Sequence, residues 1–169
     1  MLFRSILKLN KLDSQAIEPI AEPFDLCRQL TDCFLQFETL WEKKGIEIDV
    51  DIEDAAMITS DRNLLEIVWN NLLSNAIKFT APGGKIALKQ TSDTNSVTVS
   101  VSDSGCGMDD KTIKHIFDKF YQGDTSHSGE GNGLGLALAY RIVEKANGTL
   151  SVESKLGKGS VFTVQLDVN

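Results

Sequence analysis

Hydrophobic and polar residues change period several times along this chain, and each change marks an element. In "MLFRSILKLNKL", Leu2, Phe3, Ile6, Leu7 and Leu9 fall mostly on one helical face. "EPIAEPFD" carries two prolines and reads as an extended connector. "DLCRQLTDCFLQFETLWEKKG" has apolar residues at helical spacing, with Gly45 as its stop. "IEIDVDIE" alternates strictly, which predicts a half-buried strand with Ile46, Ile48, Val50 and Ile52 inward and acids outward. "DRNLLEIVWNNLLSNAIKFT" predicts a long helix capped by Ser60 or Asp61 and ending before "APGG".

The second half continues in the same manner. "KIALKQ" and "SVTVSVSD" predict an antiparallel strand pair, and "DDKTIKHIFDKFY" a short helical patch. "GDTSHSGEGNG" is a polar, glycine-rich loop. "LGLALAYRIVEKANG" is a helix closed by Asn147-Gly148, and "TLSVESKLGKGSVFTVQL" a hairpin turned at "GKG". Strands and helices do not alternate as strand–crossover units. The pattern predicts an α+β fold with helices on one face of a mixed sheet.

Composition narrows the function classes. A chain of 169 residues with 41% hydrophobic and 24% charged residues can bury one domain core. Its net charge of −7 argues against a broad nucleic-acid surface and against docking on anionic lipid. Phosphate ligands remain open, since backbone N–H groups and a few cations can hold them. Cys27, Cys33 and Cys106 are odd in number and lack a CxxC spacing, which suits a reduced, cytoplasmic protein. No stretch is long and apolar enough to span a bilayer, and the amino terminus is too interrupted for a signal peptide.

Three stretches could carry chemistry. On the long helix Asn71, Asn75 and Lys78 share one narrow arc, opposite Val68, Trp69, Leu72, Leu73, Ala76 and Phe79. Amide oxygens suit a hard cation and an ammonium suits phosphate, although a solvated helix face has the same pattern. In "SVTVSVSDSGCGMDD", Val97, Val99 and Val101 share a strand face that period two extends to Asp103. A buried carboxylate needs a donor, and Gly105 and Gly107 let a flat group approach. The exocyclic amine of adenine would serve; a tight Asp-capped turn is the alternative. In "GEGNGLGLALA", alternating glycines precede a helix start, whose free N–H groups bind anions. The spacing is neither a Rossmann fingerprint nor a P-loop. Together the three could supply metal, base and phosphate contacts of one nucleotide site.

"NNLLSNAIKFT", "DSGCGM", "IFDKFYQ", "GNGLGLALA" and "GKGSVFTV" resemble, in order and spacing, the nucleotide-binding boxes of sensor histidine kinases. These belong to the superfamily of DNA gyrase, the ninety-kilodalton heat-shock chaperones and MutL. The resemblance covers roughly residues 25–166. It implies a two-layer α/β sandwich (the Bergerat fold), with a mixed, mostly antiparallel sheet of about five strands under three helices. It also implies ATP and Mg2+ as cofactors. By the resemblance Asn75 is the metal ligand, with Asn71 beside it, and Lys78 contacts phosphate; Asn71 and Lys78 are the catalytic pair. Asp103 would read the adenine amine with Gly105 and Gly107. Phe117 and Phe120 match the lid-anchoring phenylalanine box. Gly131, Gly133, Leu134, Gly135 and Leu136 match the phosphate-end glycine box, and Gly157 and Gly159 a structural pair.

Three departures refine this. Ile67 stands one turn before Asn71, where ATP-hydrolysing or serine-phosphorylating relatives usually carry a Glu base, and isoleucine cannot accept a proton. Lys119 replaces a frequent Arg, which keeps charge but not bidentate geometry. No phosphoacceptor box is present, and His115 and His127 read as surface residues. The expectation is therefore a catalytic domain at 21–169, preceded at 1–20 by the end of a dimerisation helix and a connector. The expected activity transfers the ATP γ-phosphate to a histidine on a dimerisation domain outside the chain, with a response regulator downstream. Two alternatives are a nucleotide-binding module without transfer and a stand-alone ATPase. The expected partners include neither nucleic acid nor membrane, and the fragment is expected to be monomeric. The glycine-rich stretch 125–132 is expected to be a lid poorly ordered without nucleotide.

Overall fold

The computed structural model describes Leu7 and residues 18–118 and 135–168. Five strands form the main sheet: β2 (Glu47–Asp51), β4 (Lys85–Ser92), β5 (Ser96–Asp103), β6 (Thr149–Lys155) and β7 (Gly159–Asp167). Their order is β2-β4-β5-β7-β6, with β2 parallel to β4 and all other pairs antiparallel. The predicted α+β class and mixed sheet are what forms. Inward positions along the inner strands are apolar: Ile86 and Leu88, then Val97, Val99 and Val101, then Phe162, Val164 and Leu166. Between them stand Lys89, Thr98, Ser100 and Gln165, so one face is left to solvent.

The helices α1 (Leu26–Leu35), α3 (Arg62–Phe79) and α5 (Gly135–Lys145) bury their apolar stripes over the sheet. Trp69 at 0% exposure is among the largest fully buried side chains. Its indole N–H donates to Gln29 Oε1 at 2.8 Å, and Gln29 Nε2 donates to the Arg62 carbonyl at 2.8 Å. One buried amide thus satisfies the core indole and ties α1 to the start of α3. Asp61 is the N-cap of α3: Oδ1 accepts from the Leu64 N–H at 3.0 Å, while Oδ2 accepts from Ile20 N at 2.8 Å.

Three features differ from the sequence pattern. The "EPIAEPFD" connector contains a strand, β1 (Glu22–Asp25), which pairs antiparallel with β3 (Met57–Ser60) in a separate two-stranded sheet. Proline is tolerated there because both strands are edges. The helix expected up to Lys44 breaks at Gln36-Phe37 into α1 and α2 (Glu38–Lys44). The break places the Trp41 ring 4.6 Å from that of Phe34. The strand β2 lies at the sheet edge, so burial fades along it. Ile46 is buried and Ile48 half-buried, whereas Val50 is 45% exposed.

Gly45 closes α2 in the left-handed region (φ 63°), with Ile46 N–H donating to the Trp41 carbonyl at 3.0 Å. This turn aims the Lys44 side chain at the end of α3. Its ammonium donates to the carbonyls of Ile77 (2.8 Å), Lys78 (3.4 Å) and Thr80 (2.9 Å). Those carbonyls lack intrahelical partners and carry the negative end of the helix dipole. Replacing Lys44 with Met keeps the stem and removes the cap. Urea unfolding of Lys44→Met is expected to show a loss of about 1–2 kcal/mol with an unchanged m-value.

Candidate nucleotide site

The helix α3 divides as its sequence predicts. Val68, Trp69, Leu72, Leu73 and Ala76 are each no more than 2% exposed, while Asn71, Asn75 and Lys78 are half-buried on another face. Phe79 is half-buried rather than part of the closed core, and the Lys78 ammonium lies 5.2 Å from its ring centroid. The Asn71 Nδ2 donates to the carbonyl of Ile67 at 2.9 Å. That bond orients the amide and turns Oδ1 toward Gly135, the first residue of α5. A Cβ on Gly135 would sit 2.8 Å from this oxygen.

The end of β5 forms a second wall. Asp103 continues the valine face and is 9% exposed. Its Oδ1 accepts the Gly105 N–H at 2.8 Å. Burial pushes its carboxyl above the usual carboxylate range; the Gly105 N–H and, to a lesser degree, the Ser160 N–H pull it back. The following loop is packed backbone to backbone. A Cβ on Gly105 would lie 2.5 Å from the Phe79 carbonyl oxygen at the end of α3. At Gly107 (φ 69°) it would collide with the Lys155 carbonyl, and at Gly159 (φ 89°) with that of Asp103. Glycine is required at both by conformation as well as by space. Gly157 donates its N–H to the Cys106 carbonyl at 2.7 Å. The glycine pair of "GKG" therefore braces the aspartate loop.

α3 is the common wall, with Gly105 against its last turn and Gly135 against Asn71. The structure thus brings Asn71, Asp103, Gly105 and Gly135 around one helix. Leu136 follows in the first turn of α5, half-buried. Phe117 stacks on Tyr140 of α5 (centroids 4.8 Å) and meets Phe162 of β7 edge-on at 6.4 Å. It follows the short helix α4 (Asp110–His115), whose His115 is exposed and bonded through Nδ1 to Asp118 Oδ2 at 2.8 Å. Lys119, Phe120, His127, Gly131, Gly133, Leu134 and the 125–132 stretch lie outside the described residues. Among the described residues no cluster of His, Cys, Asp and Glu could hold a metal ion, so a cation here would rest on amide oxygens.

The sequence reading missed Ser154, which bonds to both sides of the aspartate loop. Its hydroxyl accepts Met108 N–H at 2.8 Å and donates to the Gly159 carbonyl at 2.9 Å. The signal was present: Leu150 and Val152 point inward, and period two puts Ser154 on the same face. Gln90 after Ile86 and Leu88 is a like case, buried and bonded to Cys27 and Glu53.

Residues 60–169 match the family model described as histidine kinase-, DNA gyrase B- and HSP90-like ATPase. The chain belongs to this ATPase family. Sensor histidine kinase RppB of Synechocystis sp. is 34% identical over 99% of this chain and 37% of its own length. Sporulation kinase C of Bacillus subtilis is 35% identical over 98% of this chain and 40% of its own. The chain thus spans well under half of these relatives. Full-length ShkA in complex with AMPPNP superposes with a TM-score of 0.85 at 28% identity, over 98% of this chain and 35% of that one. The catalytic domain of histidine kinase ThkA gives 0.79 at 25% identity, covering 88% of this chain and 98% of that one. The residues that the family model matches run from the end of β3 through β7. Among the described residues no helix is long and apolar enough to cross a membrane.

Two outcomes follow from this geometry. Because folding raises the Asp103 pKa, ionising this group opposes folding. Wild-type stability relative to Asp103→Asn should therefore fall as pH rises from the unfolded carboxylate value through the raised one, then level off. Thermal melts of both proteins across that range measure it. The thiols offer a second readout. Burial lifts Cys27 to about 11 and Cys33 to about 12, whereas Cys106 is exposed. A native thiol titration at neutral pH should show one fast-reacting cysteine, lost in Cys106→Ser.

Proposed function

We propose that this chain is the catalytic and ATP-binding domain of a sensor histidine kinase, and that it transfers the γ-phosphate of ATP to a histidine on a separate dimerisation domain. The observation that carries this reading is the buried Asp103 carboxylate beside two glycine-enforced backbone approaches, facing the helix that bears Asn71, Asn75 and Lys78. Kinase relatives and the AMPPNP-bound neighbour support it.

The roles follow from the groups present. Asp103 accepts a hydrogen bond from the adenine 6-amine. That bond restores a partner to a carboxylate otherwise held by peptide N–H groups alone. Gly105 and Gly107 let the loop pack against the Phe79 and Lys155 carbonyls, which would hold its backbone beside the purine. Lys78 places positive charge against phosphate oxygens. The Asn71 Oδ1 that faces the start of α5, together with the Asn75 amide, would suit Mg2+; that ion, when bound, neutralises phosphate charge. The N–H groups of the first turn of α5 would receive phosphate oxygens, with Leu134, Gly135 and Leu136 as the glycine box of the resemblance. By the family resemblance, Phe120 would share the lid-anchoring role with Phe117, and Gly131 and Gly133 would belong to the glycine box at the phosphate end.

Ile67 and the reaction class agree. A water attack needs a general base one turn before Asn71, and Ile67 cannot supply it. A histidine acceptor brings its own nucleophile. We assign residues 21–169 to the catalytic domain and 1–20 to the end of a dimerisation helix and connector. The domain would act in the cytoplasm as a monomer when isolated, with a response regulator receiving the phosphoryl group downstream.

Calorimetry with Mg-ATP tests the binding part: wild type binds, and Asp103→Asn binds at least tenfold more weakly, about the worth of one charge-assisted hydrogen bond. Unchanged affinity in that variant would remove Asp103 from the adenine role. Incubation with a dimerisation domain bearing an acceptor histidine tests the transfer. Base-stable, acid-labile phosphate on that domain is expected, with little phosphate released by the chain alone. Steady phosphate release without transfer would favour the ATPase alternative.

A further inference from the structure

We infer that Ser154 is a positioning residue for adenine recognition, holding the Asp103 carboxylate and the glycine loop in register through its single hydroxyl. The inference rests on the nucleotide reading above and deepens it. Three contacts converge on Ser154 Oγ: Met108 N at 2.8 Å, the Gly159 carbonyl at 2.9 Å and Ser160 Oγ at 2.8 Å. A hydroxyl has one proton and two lone pairs. Donating to Gly159 leaves it to accept from both Met108 and Ser160, so the Ser160 hydroxyl is the donor in that pair. The hydroxyl is saturated and has one arrangement.

Each contact reaches a part of the base pocket. Met108 directly follows Gly107 and ends the loop that Gly105 begins. Gly159 presses its backbone against the Asp103 carbonyl. The Gly159 carbonyl and the Ser160 N–H belong to one peptide unit. Ser154 bonds the oxygen of that unit, and Ser160 is the residue paired with Asp103 across β5 and β7. Ser154 sits on β6, the edge strand, behind the strand that backs Asp103, so its effect on the base passes through these groups rather than by contact.

The test compares two nucleotides that differ at the atom Asp103 is to read. ATP carries the 6-amine and inosine triphosphate carries a 6-oxo group there. In calorimetry with magnesium, Ser154→Ala should weaken ATP binding by about fivefold to tenfold. It should change inosine triphosphate binding by less than about twofold. Ser154→Thr keeps the hydroxyl on a β-branched side chain suited to a strand and should restore ATP affinity. In an Asp103→Asn background, Ser154→Ala should have no further effect on ATP. Equal losses for both nucleotides, or a full loss that persists beside Asp103→Asn, would make Ser154 merely structural and overturn the inference. Failure of wild type to bind ATP would instead defeat the nucleotide reading itself.

Discussion

A carboxylate placed at the end of a core strand governs much of this molecule. Asp103 occupies the inward parity of β5, directly after three valines that are at most 1% exposed. Nothing in packing favours a charge there, and removing one from water costs several kcal/mol when it is unpaired (a typical order of magnitude). The surrounding chain answers with peptide N–H groups rather than with a counter-ion. Gly105, Gly107 and Gly159 exist in their observed conformations because the backbone must come close to supply and brace those donors. Peptide donors hold the charge without placing a second charged side chain beside it.

The second requirement is a rigid wall opposite that carboxylate, and α3 supplies it. One face is packed to exclusion around Trp69, and both ends are fastened by side chains, the start by its own N-cap residue and the finish by a lysine from α2. Asp61 caps the start, and Lys44 gathers three carbonyls at the finish. Fixing the last turn matters because the Phe79 carbonyl defines where Gly105 lies. Fixing the middle matters because Asn71, held by its own helix through Ile67, meets the first residue of α5. Electrostatics and packing thus act in series: stable helix ends set the distances at which polar groups face one another.

The strands β4 to β7 and the helices α3 and α5 were legible in the sequence because each buries one regular face. Asp103 was legible for the same reason, as a polar residue on an apolar parity. Ser154 and Gln90 obey that rule too but have common turn or surface side chains, so they did not stand out. The strand pair β1 and β3 was illegible: it is short, contains Pro23, and is held by pairing between segments far apart in sequence. The break between α1 and α2 goes with the Phe34–Trp41 contact, which no periodicity encodes. By sequence Lys44 is one of two lysines before the helix stop at Gly45. Its partners are supplied by a different helix, and local sequence carries no trace of them.

The close approaches at Gly107 and Gly159 have a consequence for how such a chain can diverge. A side chain in the way can shrink, turn to another rotamer or be replaced. Here the obstacles are the carbonyls of Lys155 and Asp103, which are the same whatever residue carries them. No compensating substitution can make room for a Cβ, and the positive φ angles add a second penalty. Drift in the valine face or the helix surfaces can be absorbed by repacking, one neighbour at a time. At these two positions it cannot, so a few glycines act as fixed points around which the remaining residues are free to turn over.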